Sequence, residues 1–411
     1  MPKSGWVNDT CGAIYFQGKY HLYFQHNMFG TNWQNMTWGH AVSQDLIHWE
    51  YAKEAILPTS DGPAFTGSAV IAKNVPGVPD GALVIYYTLA GGASIWSQGK
   101  QFVQQMVWSE DGYTFHESKK GRLENILYEN RDPKIYRYEK NGEAHWYMIL
   151  FIDGHEYQIL VSDDLLTWEK TQSIEIPQSW ECPDLVELPV AGSQETKWLL
   201  WTPNSFYLVG DFDGRIFQPA QEGKLYYGNH RLPYAAQTFN NVPDRVIQIA
   251  HLGCRDQSFL KHRGMFAAPR TMQLRRAGQE YILAEPLIRE ITDRAQVIWE
   301  KKLQQENVTY TWEEEGAVLL HMKVDDAWPI EANICGSRLI WDPKMKKLAF
   351  SFADNHCTQE VRDITILVDR SAVEITVNED TVLYYTQGGV EISKALTITG
   401  SMEISFARIR T

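Results

Sequence analysis

The chain has 411 residues, of which 44% are hydrophobic, 22% charged and 12% aromatic. This is an ordinary globular composition, long enough for two or three domains with a large buried core, and it excludes disordered and collagen-like chains. The formal net charge of −13 argues against a nucleic-acid partner, because phosphates are bound by clustered Lys and Arg.

No apolar run approaches the length of about 18 residues that a membrane span needs, so no membrane partner is expected. The start, Met1-Pro2-Lys3-Ser4, leads into a polar motif without an apolar signal segment, and the chain reads as soluble and cytoplasmic. The sequons Asn8-Asp9-Thr10 and Asn35-Met36-Thr37 fall in or near the proposed site, where a glycan would obstruct substrate. They too favour a compartment without N-glycosylation. Cysteines at positions 11, 182, 254, 335 and 357 include no CxxC pair, which predicts free thiols rather than a disulfide framework or a zinc site.

From the N-terminus onward, short Tyr/Val/Ile/Phe/Trp runs alternate with turn residues, as in Ile14-Tyr15-Phe16, then Gly18, then Tyr20-His21-Leu22-Tyr23-Phe24. Such runs predict antiparallel hairpins. The phrase Ser43-Gln44-Asp45-Leu46-Ile47-His48-Trp49 returns as Ser109-Glu110-Asp111-Gly112-Tyr113-Thr114-Phe115 and as Ser162-Asp163-Asp164-Leu165-Leu166-Thr167-Trp168. Each copy reads as a strand end, a polar turn and an aromatic opening the next strand. Before, between and after these copies stand Asn8-Asp9, Phe65-Thr66-Gly67-Ser68, Arg131-Asp132-Pro133-Lys134, Glu181-Cys182-Pro183-Asp184-Leu185 and Tyr234-Ala235-Ala236-Gln237. These stations recur every 50 to 65 residues or so, a length that four strands of about 5–6 residues fill together with their turns and loops. The pattern predicts an all-β fold: a five-bladed β-propeller over 1–288, in which the innermost strands line one channel and bring distant residues together. A linker, partly helical, is expected over 289–300. Runs such as Ile364-Thr365-Ile366-Leu367-Val368 and Val373-Glu374-Ile375-Thr376-Val377 predict a small C-terminal β-sandwich over 301–411.

The stations carry acids. Retaining hydrolysis of an acetal calls for one ionised carboxylate as nucleophile and one protonated carboxyl as acid. Asp9, among polar neighbours able to keep it ionised, suits the first role. Glu181, with few local donors and a neighbouring anion that should raise its pKa, suits the second. Asp132 beside Arg131 suggests a third acid held ionised by a cation, hydrogen bonding sugar hydroxyls as positive charge develops. A single Asp in a turn is ordinarily a turn-forming side chain, but acids at equivalent repeat stations are not explained that way. There is no Gly-x-Ser-x-Gly elbow and no Walker spacing at Gly99-Lys100-Gln101, and His21 and His26 lack a third ligand at metal spacing. Neither metal nor cofactor is expected.

Trp6-Val7-Asn8-Asp9-Thr10-Cys11-Gly12, Arg131-Asp132-Pro133 and Glu181-Cys182-Pro183 resemble the three signatures of glycoside hydrolase family 32, the invertase, inulinase and levanase group. The segments Tyr23-Phe24-Gln25, Trp38-Gly39-His40-Ala41, Tyr234-Ala235-Ala236-Gln237-Thr238-Phe239 and Val368-Asp369-Arg370-Ser371-Ala372-Val373-Glu374 extend the likeness over nearly the whole chain. The resemblance implies a propeller followed by a sandwich, and hydrolysis of β-D-fructofuranosidic bonds in sucrose, fructo-oligosaccharides or fructans through a covalent fructosyl-aspartate. In it Asp9 is the nucleophile, Glu181 the acid/base and Asp132 the transition-state stabiliser, while Asn8, Gln25, Trp33, Phe65, Thr66 and Arg131 hold the fructosyl unit. The chain departs from the family pattern at Thr10-Cys11, Thr66, Ala250-His251 and 228–233, changes expected to touch the walls where leaving group and chain length are read. A fructosyltransferase, a catalytically weakened fructan-binding protein and an inverting arabinan-type hydrolase are the alternative readings.

Overall fold

The computed structural model describes residues 4–140, 142–224, 233–253, 262–313, 316–325, 327–350, 353–356, 360–370, 372–386 and 393–410. Blade one contains β1 (Gly5–Phe16), β2 (Lys19–Asn27), β3 (Thr37–Ser43) and β4 (Trp49–Tyr51). Blade two contains β5 (Ala64–Ile71), β6 (Leu83–Leu89), β7 (Val103–Ser109) and β8 (His116–Leu123). Blade three contains β9 (Arg131–Lys140), β10 (Glu143–Asp153), β11 (Glu156–Ser162) and β12 (Glu169–Glu175). Blade four contains β13 (Asp184–Pro189), β14 (Thr196–Trp201), β15 (Phe206–Phe212) and β16 (Phe217–Lys224). Blade five contains β17 (Tyr234–Thr238) and β18 (Val246–Leu252), the short β19 (His262–Arg263) and β20 (Met265–Phe266), and then β21 (Arg270–Ala277) and β22 (Glu280–Ala284). Of these, β19 leaves the blade to pair in parallel with β1. The expected five-bladed propeller is therefore the fold.

Burial follows from position within a blade. The middle strands lie between neighbouring blades on both faces and read as unbroken apolar runs; β6, Leu83-Val84-Ile85-Tyr86-Tyr87-Thr88-Leu89, is buried throughout. The fourth strands form the outer edge and are polar and mostly exposed, as in β12, Glu169-Lys170-Thr171-Gln172-Ser173-Ile174-Glu175. Charged side chains there discourage edge-to-edge pairing with another molecule.

The recurrent Ser-x-Asp phrase is the turn between third and fourth strands. Asp45 Oδ1 accepts from the backbone N–H groups of Ile47 and His48, Asp111 Oδ1 from those of Tyr113 and Thr114, and Asp164 Oδ1 from those of Leu166 and Thr167. Each is an aspartate standing in for a backbone turn. Blade four has the same device at Asp213, which accepts from the N–H groups of Arg215 and Ile216. The sequence reading missed it because Asp211, not Ser, precedes it.

The ring closes between blades five and one. Tyr15 N donates to Asn240 O at 2.9 Å and Asn240 N to Ala13 O at 2.8 Å. Across the channel the Asn240 amide donates to the carbonyls of Ala69 and Ile135, and Gln237 links Gly67 to Ala13, so one side chain serves several blades. Lower in the channel Lys134 and Asp184, both 1% exposed, form an ion pair at 3.6 Å.

A short helix, α1 (Arg289–Thr292), leads into β23 (Ala295–Thr311), which pairs along β32 (Ala395–Ile409). The strand thus opens at Ala295, inside the stretch read as linker. Its sequence is polar and only Leu303 is buried, so no apolar alternation marks it. The remaining strands are β24 (Val318–Val324), β25 (Ile330–Ile334), β26 (Ser337–Asp342), β27 (Lys347–Phe350), β28 (Ala353–His356), β29 (Asp363–Asp369), β30 (Ala372–Val377) and β31 (Thr381–Thr386). Together they form one hydrogen-bonded sheet folded into a sandwich, with β32 pairing to β25 over its first part and to β24 over its second. Leu320, Met322, Ile330, Trp341, Ile366, Ile398 and Phe406 lie in its core. Among the described residues Cys11, Cys182 and Cys335 are free and buried, while Cys254 and Cys357 lie outside those residues.

The sandwich is fastened to blade five by a buried ion pair. Arg270 Nη2 meets Glu374 Oε2 at 3.0 Å, Arg270 Nη1 donates to Glu285 O and Thr376 Oγ1, and Glu374 Oε1 accepts from Ala268 N. Arg270→Met would strand the Glu374 carboxylate in an apolar seam and is expected to destabilise the protein by about 3–5 kcal/mol, read by denaturant unfolding. A loss below about 1 kcal/mol, the level of an exposed pair, would contradict this account.

A second consequence concerns acid. His21 Nδ1 and His40 Nε2 lie 3.0 Å apart in the core of blade one. Burial, aided by Lys19, lowers His21 to about 4, and burial followed by His21 lowers His40 to about 3. In the unfolded chain both return to about 6.5. Their contribution is fully present above that pH and is lost as pH falls toward 4 and below, because the unfolded state then binds more protons. The difference in stability between wild type and His40→Gln should therefore slope with pH below 6.5 and be flat above it; equal slopes in paired melting curves would refute this.

Candidate active site

Four inner strands break their ladder register where the sequence placed its stations. The breaks fall between Val7 and Thr10 on β1, between Ala64 and Gly67 on β5, between Arg131 and Lys134 on β9, and between Tyr234 and Gln237 on β17. A bulge bends its strand and re-aims the side chains within it. Asn8-Asp9, Phe65-Thr66 and Asp132-Pro133 occupy these bulges. On blade four, Glu181-Cys182 comes just before β13. Asp132 (φ 63°), Glu181 (φ 52°), Cys182 (φ 38°) and Ala235 (φ 46°) are all left-handed without being glycine. Such backbone is strained and tends to cluster at working sites. Gly67 is required at its bulge, since a Cβ there would stand 2.1 Å from Tyr86 O.

The side chains meet in one cluster. Asp9 Oδ2 accepts from Thr66 Oγ1 at 2.8 Å and from Gln25 Nε2 at 3.1 Å, and the Cys182 thiol lies 3.7 Å from the same oxygen. That thiol also touches Asp132 Oδ2 at 3.4 Å, where Cys182 N donates at 3.1 Å. One sulfur therefore bridges the two carboxyls. Arg131 spans the next gap, with Nε 3.8 Å from Asp132 Oδ2 and Nη2 3.0 Å from Glu181 Oε2. Tyr234 Oη donates to Glu181 Oε1, and Thr88 Oγ1 meets Asp132 N at 3.0 Å.

The other expected residues surround this chain of contacts. Asn8 Oδ1 accepts from Trp6 Nε1 at 2.8 Å. Phe65 accepts from Trp38 Nε1 through its carbonyl and meets Trp33 edge to face with ring centroids 5.7 Å apart; Trp33 is 51% exposed. Among the described departures from the family pattern, Thr66 alone bonds a carboxyl group through its side chain. Thr10, 1% exposed, donates to Ala235 O, and Cys11 is fully buried with its sulfur 3.6 Å from Asp9 O. Both lie behind Asp9 instead of on a wall, contrary to expectation. His251 is buried across the ladder from Tyr234, and 228–232 lie outside the described residues.

The electrostatics also differ from the sequence expectation. Burial, reinforced by the charge of Glu181, raises Asp9 to about 6 against the hydrogen bonds of Thr66, Asn8 and Cys182. Asp132, 4% exposed, rises to about 7, because burial with Glu181 and Asp9 outweighs Arg131. The cation beside it lowers Asp132 but does not offset its burial. Glu181, expected to lack donors, receives two: Arg131 and Tyr234. Tyr234, Cys182 and Thr88 were not among the predicted site residues. Tyr234 and Cys182 sit inside quoted motifs, whereas Thr88, next to the end of the apolar β6, carries no local signal.

Both raised carboxyls weaken the fold at high pH. A carboxyl raised on folding contributes stability that is fully present below its unfolded value, near 3.8, and is lost as pH rises through the folded value, here about 7 for Asp132. Asp132→Asn removes that loss. It should raise the melting temperature at pH 8 and leave it unchanged at pH 3.5, and a variant less stable than wild type at pH 8 would overturn this reading.

Comparison with known proteins gives a consistent result. The family model for the glycosyl hydrolases family 32 N-terminal domain matches residues 1–286. A levanase of Bacillus subtilis is 34% identical over 275 residues, covering 59% of this chain and 38% of that protein. An extracellular exo-inulinase of Aspergillus awamori is 30% identical over 345 residues, covering 69% of this chain and 63% of that one. The chain thus spans less than two thirds of the length of these relatives. Among solved structures, an exo-inulinase from Aspergillus awamori superposes with a TM-score of 0.86 at 21% identity, covering 100% of this chain and 97% of that one. A fructofuranosidase variant from Schwanniomyces occidentalis in complex with fructosylnystose gives 0.82 at 21% identity, covering 100% and 96%. At that identity the likeness is one of fold.

Proposed function

The chain belongs to glycosyl hydrolases family 32, and on that footing we propose that it hydrolyses β-D-fructofuranosidic bonds with retention, acting on fructans or shorter fructosides. The observation that carries this reading is the contact chain from Asp9 through the Cys182 thiol to Asp132, and through Arg131 to Glu181. It supplies two carboxyls able to act in concert and a third to meet developing charge. The names of the related levanase and exo-inulinase favour a fructan substrate.

In this mechanism Asp9 attacks the anomeric carbon while Glu181 gives its proton to the departing oxygen, leaving a fructosyl ester on Asp9. Glu181 then takes a proton from water, the water oxygen bonds to the anomeric carbon, and the Asp9 carboxylate is released. Gln25 and Thr66 hold the attacking oxygen and disperse its charge before attack. Asp132 accepts from ring hydroxyls most strongly as the ring becomes oxocarbenium-like, and Arg131 orients Glu181. Trp33 and Phe65 offer apolar faces to the sugar.

Asp9→Asn and Glu181→Gln should each lower kcat by about 10²–10⁴ or more. Near-normal turnover in both, in a screen of sucrose, inulin and levan, would refute the assignment. Because Asp9 must be ionised to attack, kcat/KM should rise with pH through about 6; an acid limb absent at that pH would count against Asp9 as nucleophile. The anomer formed first separates retention from the inverting alternative, and product analysis at high sucrose separates hydrolysis from fructosyl transfer.

A further inference from the structure

Lys134 and Asp184 belong to the two motifs that contain Asp132 and Glu181, yet neither has a part in the chemistry above. Both are 1% exposed and lie on the inner strands of their blades. Lys134 Nζ stands 3.6 Å from Asp184 Oδ2, donates to Thr238 O at 2.6 Å and sits 4.9 Å from the centre of the Tyr136 ring. Asp184 accepts from Tyr136 Oη at 2.7 Å, Thr238 N at 2.9 Å and Thr238 Oγ1 at 2.8 Å. The pair therefore joins blades three, four and five at one point. Burying two charges is costly; Asp184 is met by three donors, while burial outweighs the pull of Asp184 on Lys134 and lowers its pKa to about 8.

The place of this pair in the chain gives it a use. Lys134 comes two residues after Asp132 on β9, and Asp184 comes three after Glu181 at the head of β13. The carboxyls stand on left-handed backbone at Asp132 and Glu181, Cys182 between Glu181 and Asp184 is left-handed too, and Cys182 N donates to Asp132. Strained backbone of this kind persists only where its surroundings over-determine it. We propose that the Lys134–Asp184 pair is a positioning element that fixes the separation of the Asp132 and Glu181 carboxyls, so that breaking it lowers turnover even where the fold survives. This rests on the function proposed above.

The test compares Lys134→Gln, Asp184→Asn and the double variant with wild type. Each single change leaves a buried charge without its counter-ion and should lower the melting temperature, whereas the double leaves none and should recover it. If the pair positions the acids, the double keeps a kcat about 10²-fold below wild type with KM little changed, the size of effect a misplacement of about 1 Å produces. The rate on an aryl β-D-fructofuranoside, whose leaving group needs little protonation, should fall less than the rate on the natural bond. Wild-type kcat in the double variant, or an equal fall on both substrates, would overturn the proposal. If the single variants do not fold, the double alone is read. If wild type hydrolyses no fructoside, the proposed function fails, and crystal structures decide this point instead: an Asp132–Glu181 separation unchanged in the double variant would refute positioning.

Discussion

A buried polar group is costly unless it is partnered, and on the inner wall of a closed ring of blades most such partners come from across the channel. That requirement organises this molecule. Asn240 serves Ala69 and Ile135, Gln237 serves Gly67 and Ala13, Ser68 serves Pro133, and Thr238 serves Asp184 and Lys134. Because each bond joins different blades, the inner strands are held relative to one another within hydrogen-bond tolerance. Bulges then turn selected side chains out of the ladder and into the mouth. The same polar necessity that closes the ring thus sets the coordinates of the acids.

The site is built against stability. The carboxyls of Asp9 and Asp132 are raised by burial and by the charge of Glu181, and Asp132, Glu181, Cys182 and Ala235 hold left-handed backbone. Strain of this kind costs on the order of 1–3 kcal/mol per residue. It is offset by the large apolar cores between blades and by the seam at Arg270 and Glu374, which makes the sandwich a buttress for blade five. Loss of function by stabilising substitutions is a familiar outcome at sites of this type.

Much of this was legible in the sequence. The stations at Asp9, Thr66, Asp132, Glu181 and Gln237 fall on or immediately before the five inner strands, because each blade opens with a distinctive polar phrase between long apolar runs. The turn aspartates at 45, 111 and 164 were readable for the same reason. What failed was inference from local neighbours. Glu181 looked poor in donors because its partners Arg131 and Tyr234 lie 50 and 53 positions away. Asp132 looked secured by adjacent Arg131, yet depth in the protein outweighs one neighbouring cation. Thr10 and Cys11 looked like wall residues because sequence order cannot tell the front of a bulged strand from its back. The polar edge strand β23 carries no periodic signal at all.

The bond between Tyr15 and Asn240 joins the first blade to the last. A growing polypeptide presents Asp9 early, but the ring stays open and Glu181 stays without its Tyr234 donor until the fifth blade has emerged and docked. Such distant pairing is slow to form. A chain ending before that blade lacks both the Tyr234 donor to Glu181 and the Gln237 link from Gly67 to Ala13, so the ring and the acid cluster are completed by the same stretch of sequence.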